Sequence, residues 1–493
     1  MTHGHVETHG RASLQPEYLI ECRFPMKKIF PIIILFMIFR SGFAQSVPNG
    51  FDLALDKKAK GVRCVSCGEN GCCIVGEVKS RKVHQLFIVH IDTMMQSRWD
   101  TTLRFSEDYM LSDVLYEDGT VVMLCRQGQK SRVTDQMTIF LYDTRSRKLV
   151  TREISGIPAV TALSDWHYYR GNLMFTAMSK SGDGVWFLPA GFSQPFPFTF
   201  TQETPGRVLT TAVDTLRGGA VICFNSGERT MYFETDFNGK SSFANILNEA
   251  STFAQWIPVN RNHSVLMLYY QDDEIFFMHP INILNHKVMP VDTVYCADIA
   301  APKTLPNGVS AKRIVIVAPY SYISFYPTHA TCSDGKISCV TELFYAEYAN
   351  YFNGWYVEPR FNGYRYERAD VHFFDTSGVF LTNVTYPYNE EMPVHTTVYK
   401  VLNVSRLPSG DILLYHMVSR EFTTMLLDSN CVLKSPISTA DIPIMRASSG
   451  GNYKTVPVAM HQWYGNRFLF IANRVNLGSQ KVVGISLRKL EYN

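Results

Sequence analysis

Eight times along this chain a glycine or polar turn feeds directly into an apolar run, and that recurrence constrains the fold more than any other feature. The clearest copy is Leu111 to Val150, LSDVLYEDGTVVMLCRQGQKSRVTDQMTIFLYDTRSRKLV. It reads as strand, Asp118-Gly119 turn, strand, loop, strand, tight turn and the start of a fourth strand. Asp118-Gly119 suits the φ > 0 pair of a two-residue hairpin, and Val121 to Cys125 is an unbroken apolar stretch fit for a strand buried on both faces. With Gly71, Gly119, Gly171, Gly218, Asn262, Gly335, Gly410 and Gly465 as markers, the intervals are 48, 52, 47, 44, 73, 75 and 55. A four-stranded unit occupies about 40 to 50 residues, so the two long intervals imply insertions.

A second signature repeats between the third and fourth strands of several units, where an Asp precedes a turn. It occurs in FLYDTRSRKLV at 140–150, YFETDFNGKSSF at 232–243, HFFDTSGVFLTN at 372–383 and LLDSNCVLKSP at 426–436. An Asp carboxylate there accepts backbone N–H groups and shapes the turn, so these acids are read as turn-formers and not as ligands.

These Gly-led second strands and Asp-x-x-Gly-like outer hairpins resemble those of secreted bacterial β-propeller repeat proteins. The resemblance covers most of residues 60–493 and is architectural. No WD, kelch or NHL signature is present, so it implies a fold and carries over no functional residue. The expectation is an all-β chain forming a single β-propeller of about eight four-stranded blades, with seven as the alternative. A β-sandwich would not repeat at this four-strand period. The last unit, ending in KVVGISLRKLEYN, offers only three strands, and the LALD segment at 53–56 is expected to supply the fourth and close the ring.

The front of the chain is read apart from the repeats. Met26-Lys27-Lys28, the apolar run Ile29 to Phe39 and Gly42-Phe43-Ala44 form the basic, hydrophobic and small-residue parts of a secretory signal over 26–44. An eleven-residue apolar run is too short to span about 30 Å of hydrocarbon as a helix. Residues 1–25 are read as an extension upstream of the natural start, and 45–493 as the propeller. That mature part carries 42 basic and 41 acidic side chains with no basic tract, which argues against nucleic acid as a partner. With no later segment approaching the length of a membrane span, the expected location is periplasmic, cell-surface or extracellular.

Eleven cysteines are present. Export favours disulfides, and Cys332 and Cys339, bracketing Ser333-Asp334-Gly335-Lys336, are the expected bridge across one hairpin. Cys64, Cys67, Cys72 and Cys73 form a CxxCx4CC cluster open to disulfide, free thiol or metal. Disulfide is favoured over metal, because zinc-binding pairs sit on knuckles with a longer spacer and adjacent cysteines of a strand face opposite ways. Cys125 and Cys223 fit as small core residues.

The largest departure from the repeat is EYANYFNGWYVEPRFNGYRYERAD, from Glu347 to Asp370. Its Tyr351, Trp355, Tyr356, Arg360, Tyr364, Tyr366 and Arg368 are the candidate binding residues, since aromatic faces beside guanidinium groups suit a protein or glycan partner. The alternative is an insertion that buries its rings on its own blade. Asp165-Trp166-His167-Tyr168-Tyr169-Arg170 also gathers polar and aromatic groups, and fits a first strand packed between blades. No HExxH, GxSxG, P-loop, dinucleotide or calcium-loop motif occurs, and no cofactor or metal is implied. The functional expectation is an exported binding or assembly module of the bacterial cell envelope. The alternative is a polysaccharide lyase or hydrolase working at the channel mouth, for which the sequence nominates no catalytic residue.

Overall fold

Antiparallel pairing between consecutive strands accounts for almost the whole described chain, as short turns between apolar runs dictate. The computed structural model describes residues 50–492 apart from 57, 80–83, 106–108, 130–131, 158–161, 180–181, 199–206, 227–228, 248–250, 271–274, 283–286, 289–292, 296–322, 353–356, 389–399, 419–420 and 443–452. The upstream extension and the signal segment lie outside the described residues. Within them, no helix is long and apolar enough to cross a membrane.

The strands fall into eight sheets. In chain order the blades span 59–105, 109–154, 162–197, 207–247, 253–295, 323–387, 403–441 and 453–491. Seven of the eight sheets have four strands, and the fifth blade has five because two short strands share one partner. Asp118 and Gly119 take φ of 49° and 78°, as do their counterparts Arg170-Gly171 (48°, 86°) and Asp334-Gly335 (46°, 73°), so the hairpin turns form as their sequences require.

Each second strand is sealed on both faces. Val121, Val122, Met123 and Leu124 are wholly buried, and alternate residues enter different interblade cores. Val121 and Met123 pack with the first blade, whereas Val122 and Leu124 pack with Trp166, Phe175 and Leu188 of the third. Shared cores continue from blade three to four, four to five, five to six and six to seven. Between seven and eight, Tyr415 and Phe422 meet the Phe468 ring at 5.1 and 5.6 Å. The circuit ends where Trp463, Leu469 and Leu487 of blade eight pack on Cys72, Ile74 and Ile91 of blade one. No blade hides its apolar faces without its neighbours.

The ring closes as the sequence implied. Gly50–Ala54 pairs antiparallel with the last strand, Leu53 opposite Ile485, so the eighth sheet draws on both ends of the described chain.

The four recurrent aspartates act as turn-formers. Asp143 accepts N–H bonds from Arg145 and Ser146, Asp236 from Asn238 and Lys240, Asp375 from Ser377 and Val379, and Asp428 from Asn430 and Val432, at 2.6–3.0 Å.

The expected Cys332–Cys339 bridge is absent, and both are free thiols. Cys332 lies opposite Ile337 and Cys339 opposite Ala330, so the two occupy a diagonal and not a facing pair. Diagonal neighbours stand typically about 7–8 Å apart, so only a diagonal that strand twist draws together can reach the roughly 4 Å between the Cβ atoms of a disulfide. Cys125 and Cys223 are buried core residues, as read.

Candidate binding site on the sixth blade

The insertion is no loop: it continues the second and third strands of its blade. Lys336–Phe352 and Val357–Asp375 run 17 and 19 residues, against seven or eight for their counterparts in blades three, four, five and seven. Their pairing extends from Lys336 opposite Asp375 to Phe352 opposite Val357, with register shifts at Leu343/Phe344 and Glu347/Tyr348. Such shifts bend and twist a hairpin, and here they fall where the blade gives way to an arm.

The candidate residues divide along this arm. Tyr366 and Arg368 are buried at its root. The Tyr366 ring lies 5.4 Å from Phe344 and 6.3 Å from Tyr388, and Arg368 Nε donates to Asp370 Oδ2 at 3.1 Å. Tyr364 is half-buried with its ring edge-on to Phe344 at 5.5 Å. Arg365 Nε then meets Glu347 Oε2 at 2.5 Å, and the Arg365 bond is the main reason the Glu347 carboxyl lies below its ordinary range. Farther out, Arg360 and Phe361 are exposed, Phe361 at 48%, with its ring 5.1 Å from Tyr364. Tyr351 is placed by pairing opposite Glu358. Trp355 and Tyr356 lie outside the described residues. Root aromatics are thus core, as the alternative reading held, and the outer arm carries the exposed part.

Sequence reasoning missed a polar cluster under the arm. Glu342 is wholly buried and accepts N–H bonds from Val401 and Leu402 at 3.0 and 2.9 Å and the Tyr388 hydroxyl. Burial pushes its carboxyl up to about 7, against the pull of those three bonds. Beside it Thr341 Oγ1 lies 2.7 Å from His372 Nε2, and Thr385 donates to Asp370 at 2.6 Å. Burial lowers His372 to about 4, and it raises Asp370 despite Arg368. The signal available was the acid interrupting the apolar run of KISCVTELF. These groups are enclosed and bond one another, which suits holding strands in register more than meeting a substrate.

Of the Asp165–Arg170 segment, the residues up to Tyr169 lie in a first strand, as expected, with Trp166 and Tyr168 in one interblade core and Tyr169 in the next, and Arg170 begins the turn. His167 sits between Glu117 of blade two, 3.6 Å away, and Thr211 of blade four at 3.1 Å. First strands are tied elsewhere too. Arg63 pairs with Asp113, and Gln255 exchanges two 2.7 Å bonds with the Ala330 backbone. A cleft between blades six and seven, lined by Thr331, Lys336, Ser338, Phe373 and Arg406, holds about 40 Å³, room for water only. Among the described residues no three His, Cys, Asp or Glu side chains converge as metal ligands do.

No protein-family model matches this sequence, and no curated protein does. Solved structures resemble it in fold. The Dos1 propeller aligns with 9% identity over 84% of this chain and 90% of its own, at a TM-score of 0.40. The β-propeller domain of the Trilobed protease from Pyrococcus furiosus, described as having an open velcro topology, aligns at 9% identity over 79% and 98%, TM-score 0.38. The dihydro-heme d1 dehydrogenase NirN in complex with DHE aligns at 12% identity over 89% and 74%, TM-score 0.40.

Proposed function

We propose that this propeller is an exported binding module of the bacterial cell envelope, and that the arm of the sixth blade is its contact with a protein partner. The observation carrying this reading is the length of the arm's strands, 17 and 19 residues, continuing past the register of the blade to the exposed Arg360 and Phe361. A two-stranded extension beyond its blade is costly to keep unless something else benefits from it, because an isolated hairpin is marginal in water. Arg and aromatic side chains are the groups that dominate contact energies when a partner covers them. A projecting arm suits the groove of a protein better than a sugar chain, which is held by concave sites. Against the hydrolase or lyase alternative stands the enclosure of Glu342 and Asp370, the described acids whose carboxyls burial raises.

The test is capture of envelope proteins by the purified chain with a cleavable cross-linker, comparing wild type with the pair Arg360→Ala and Phe361→Ala. A specific captured protein lost in the variant, at an unchanged unfolding temperature, supports the reading. Capture that persists in the variant, or binding to a glycan panel in place of any protein, overturns it.

A further inference from the structure

The cysteine cluster of the first blade is resolved by the fold into two pairs. Ala59–Ser66 and Cys72–Lys79 form a hairpin in which Cys64 lies opposite Ile74, Val65 opposite Cys73 and Ser66 opposite Cys72. Alternation therefore sends Cys64 and Cys72 to one face and Cys73 to the other, where Cys67, just past the strand end, joins it. Packing agrees: Cys64 and Cys72 belong to the core shared with blade eight, Cys67 and Cys73 to the core shared with blade two.

We infer that Cys64 with Cys72, and Cys67 with Cys73, are two disulfide sites that staple the first blade on both of its faces. Neither pair faces directly across the ladder; each occupies a diagonal of it. Twist tilts the side chains of one strand toward the turn on one face and away from it on the other, so the close diagonal reverses between faces. On the face toward the preceding blade Cys64 of the first strand lies farther from the turn than Cys72. On the opposite face the order inverts, with Cys67 nearer the turn than Cys73, as a close diagonal on each face requires. Cys332 and Cys339 pack toward the preceding blade with the order reversed, on the other diagonal from Cys64 and Cys72, which distinguishes them from the first-blade pairs.

All four are free thiols in the structure, with Cys67 Sγ donating to the Val65 carbonyl at 3.6 Å. The Cys64 thiol beside Cys72, and the Cys67 thiol beside Cys73, together with burial, raise the Cys72 and Cys73 thiols well above the ordinary range. Such thiols are poor nucleophiles once enclosed, so exchange belongs to the stage of folding before the blade packs. A disulfide oxidant such as oxidised glutathione supplies the chemistry. A cysteine thiolate attacks it and releases one glutathione thiolate, and the paired cysteine displaces the second. One S–S bond forms per pair, and two electrons and two protons leave on two glutathione molecules.

The experiment refolds the full chain in a glutathione buffer, alkylates remaining thiols in denaturant without reduction, and weighs the tryptic peptide that begins after Arg63 and ends at Lys79. Wild type should carry no alkyl group on it. Variants keeping only Cys64 and Cys72, or only Cys67 and Cys73, should likewise carry none, whereas Cys64→Ser with Cys73→Ser leaves partners on opposite faces and should carry two. Alanine versions serve where a serine variant does not fold. Four alkylated cysteines in folded wild type, or a bridge in the opposite-face variant formed as readily as in the others, overturns the assignment. Neither outcome depends on the role of the arm.

Discussion

Arg488 Nη1 donates to Asp52 Oδ1 at 3.0 Å, joining side chains 436 positions apart in the chain. Burial of Asp52 pushes its carboxyl up, but the bonds from Arg488 and Ser486 and the charges of Arg488 and Arg474 outweigh it and hold the carboxyl below its ordinary value. A depressed acid contributes stability above its unfolded pKa and loses that contribution as pH falls through the folded one. Asp52→Asn should therefore unfold at a lower temperature than wild type near neutral pH. The gap should shrink as pH falls below about 4, as thermal unfolding at stepped pH would show.

Removing the whole closing strand should cost much more than removing its ion pair. Deletion of residues 45–57 bares the last strand beyond Ile485 and Leu487, and uncovers the core that Phe51 and Leu53 complete against blade one. A drop of many degrees in unfolding temperature is expected, with dye binding to exposed apolar surface. An unchanged melt would mean that closure adds nothing.

Glu342 gives a pH response of the opposite sign. Its carboxyl stands at about 7 in the fold against an ordinary 4.5. The folded state then holds a proton that the unfolded chain has released, so stability falls as pH rises between those values and levels off above them. Glu342→Gln keeps an acceptor for the Val401 and Leu402 N–H groups and should flatten that slope. Glu342→Ala flattens the slope too but leaves those donors buried and unpaired, at a cost of about 1–3 kcal/mol relative to Glu342→Gln at every pH. Denaturant titrations from acid to neutral would separate the two.

Two turn glycines should differ in their tolerance of a methyl group. Both have positive φ, 102° at Gly71 and 78° at Gly119, which alone costs an alanine about 1 kcal/mol. A Cβ at Gly119 meets nothing nearer than 3.9 Å, whereas at Gly71 it would stand 2.0 Å from the Ile91 carbonyl oxygen. Gly71 O also accepts the Trp463 indole N–H at 2.8 Å, so displacement there reaches the blade-eight contact. Gly119→Ala should lower stability by about 1 kcal/mol and Gly71→Ala by several times more, compared by urea unfolding.

What could be read from residues alone follows the range of the forces involved. Turn pairs such as Asp118-Gly119 and acids such as Asp428 act within four residues, so their roles are written locally. Closure by LALD was legible because an incomplete final unit leaves an edge that only a spare strand satisfies. Cys332 and Cys339 differ from the expectation by register: a two-residue turn at Asp334-Gly335 pairs Ser333 with Lys336, which sets Cys332 opposite Ile337 and Cys339 opposite Ala330. The arm was legible as an insertion of aromatic composition, but its division into a buried root at Tyr366 and Arg368 and an exposed outer part at Arg360 depended on how far two strands stay paired. Glu342 was passed over because its partners, Tyr388, Val401 and Leu402, lie 46 to 60 positions downstream.

The pairing of Leu53 with Ile485 makes completion of the ring a matter of order in time. Seven blades are built from neighbours in sequence and are free to assemble as the chain emerges, but the eighth waits for its final strand while its partner has been available from the start. A chain cut short after any blade would present two unmatched edges at once, one on each side of the gap. The circle thus works as a check on length, rewarding a polypeptide only when both of its distant contributors have arrived.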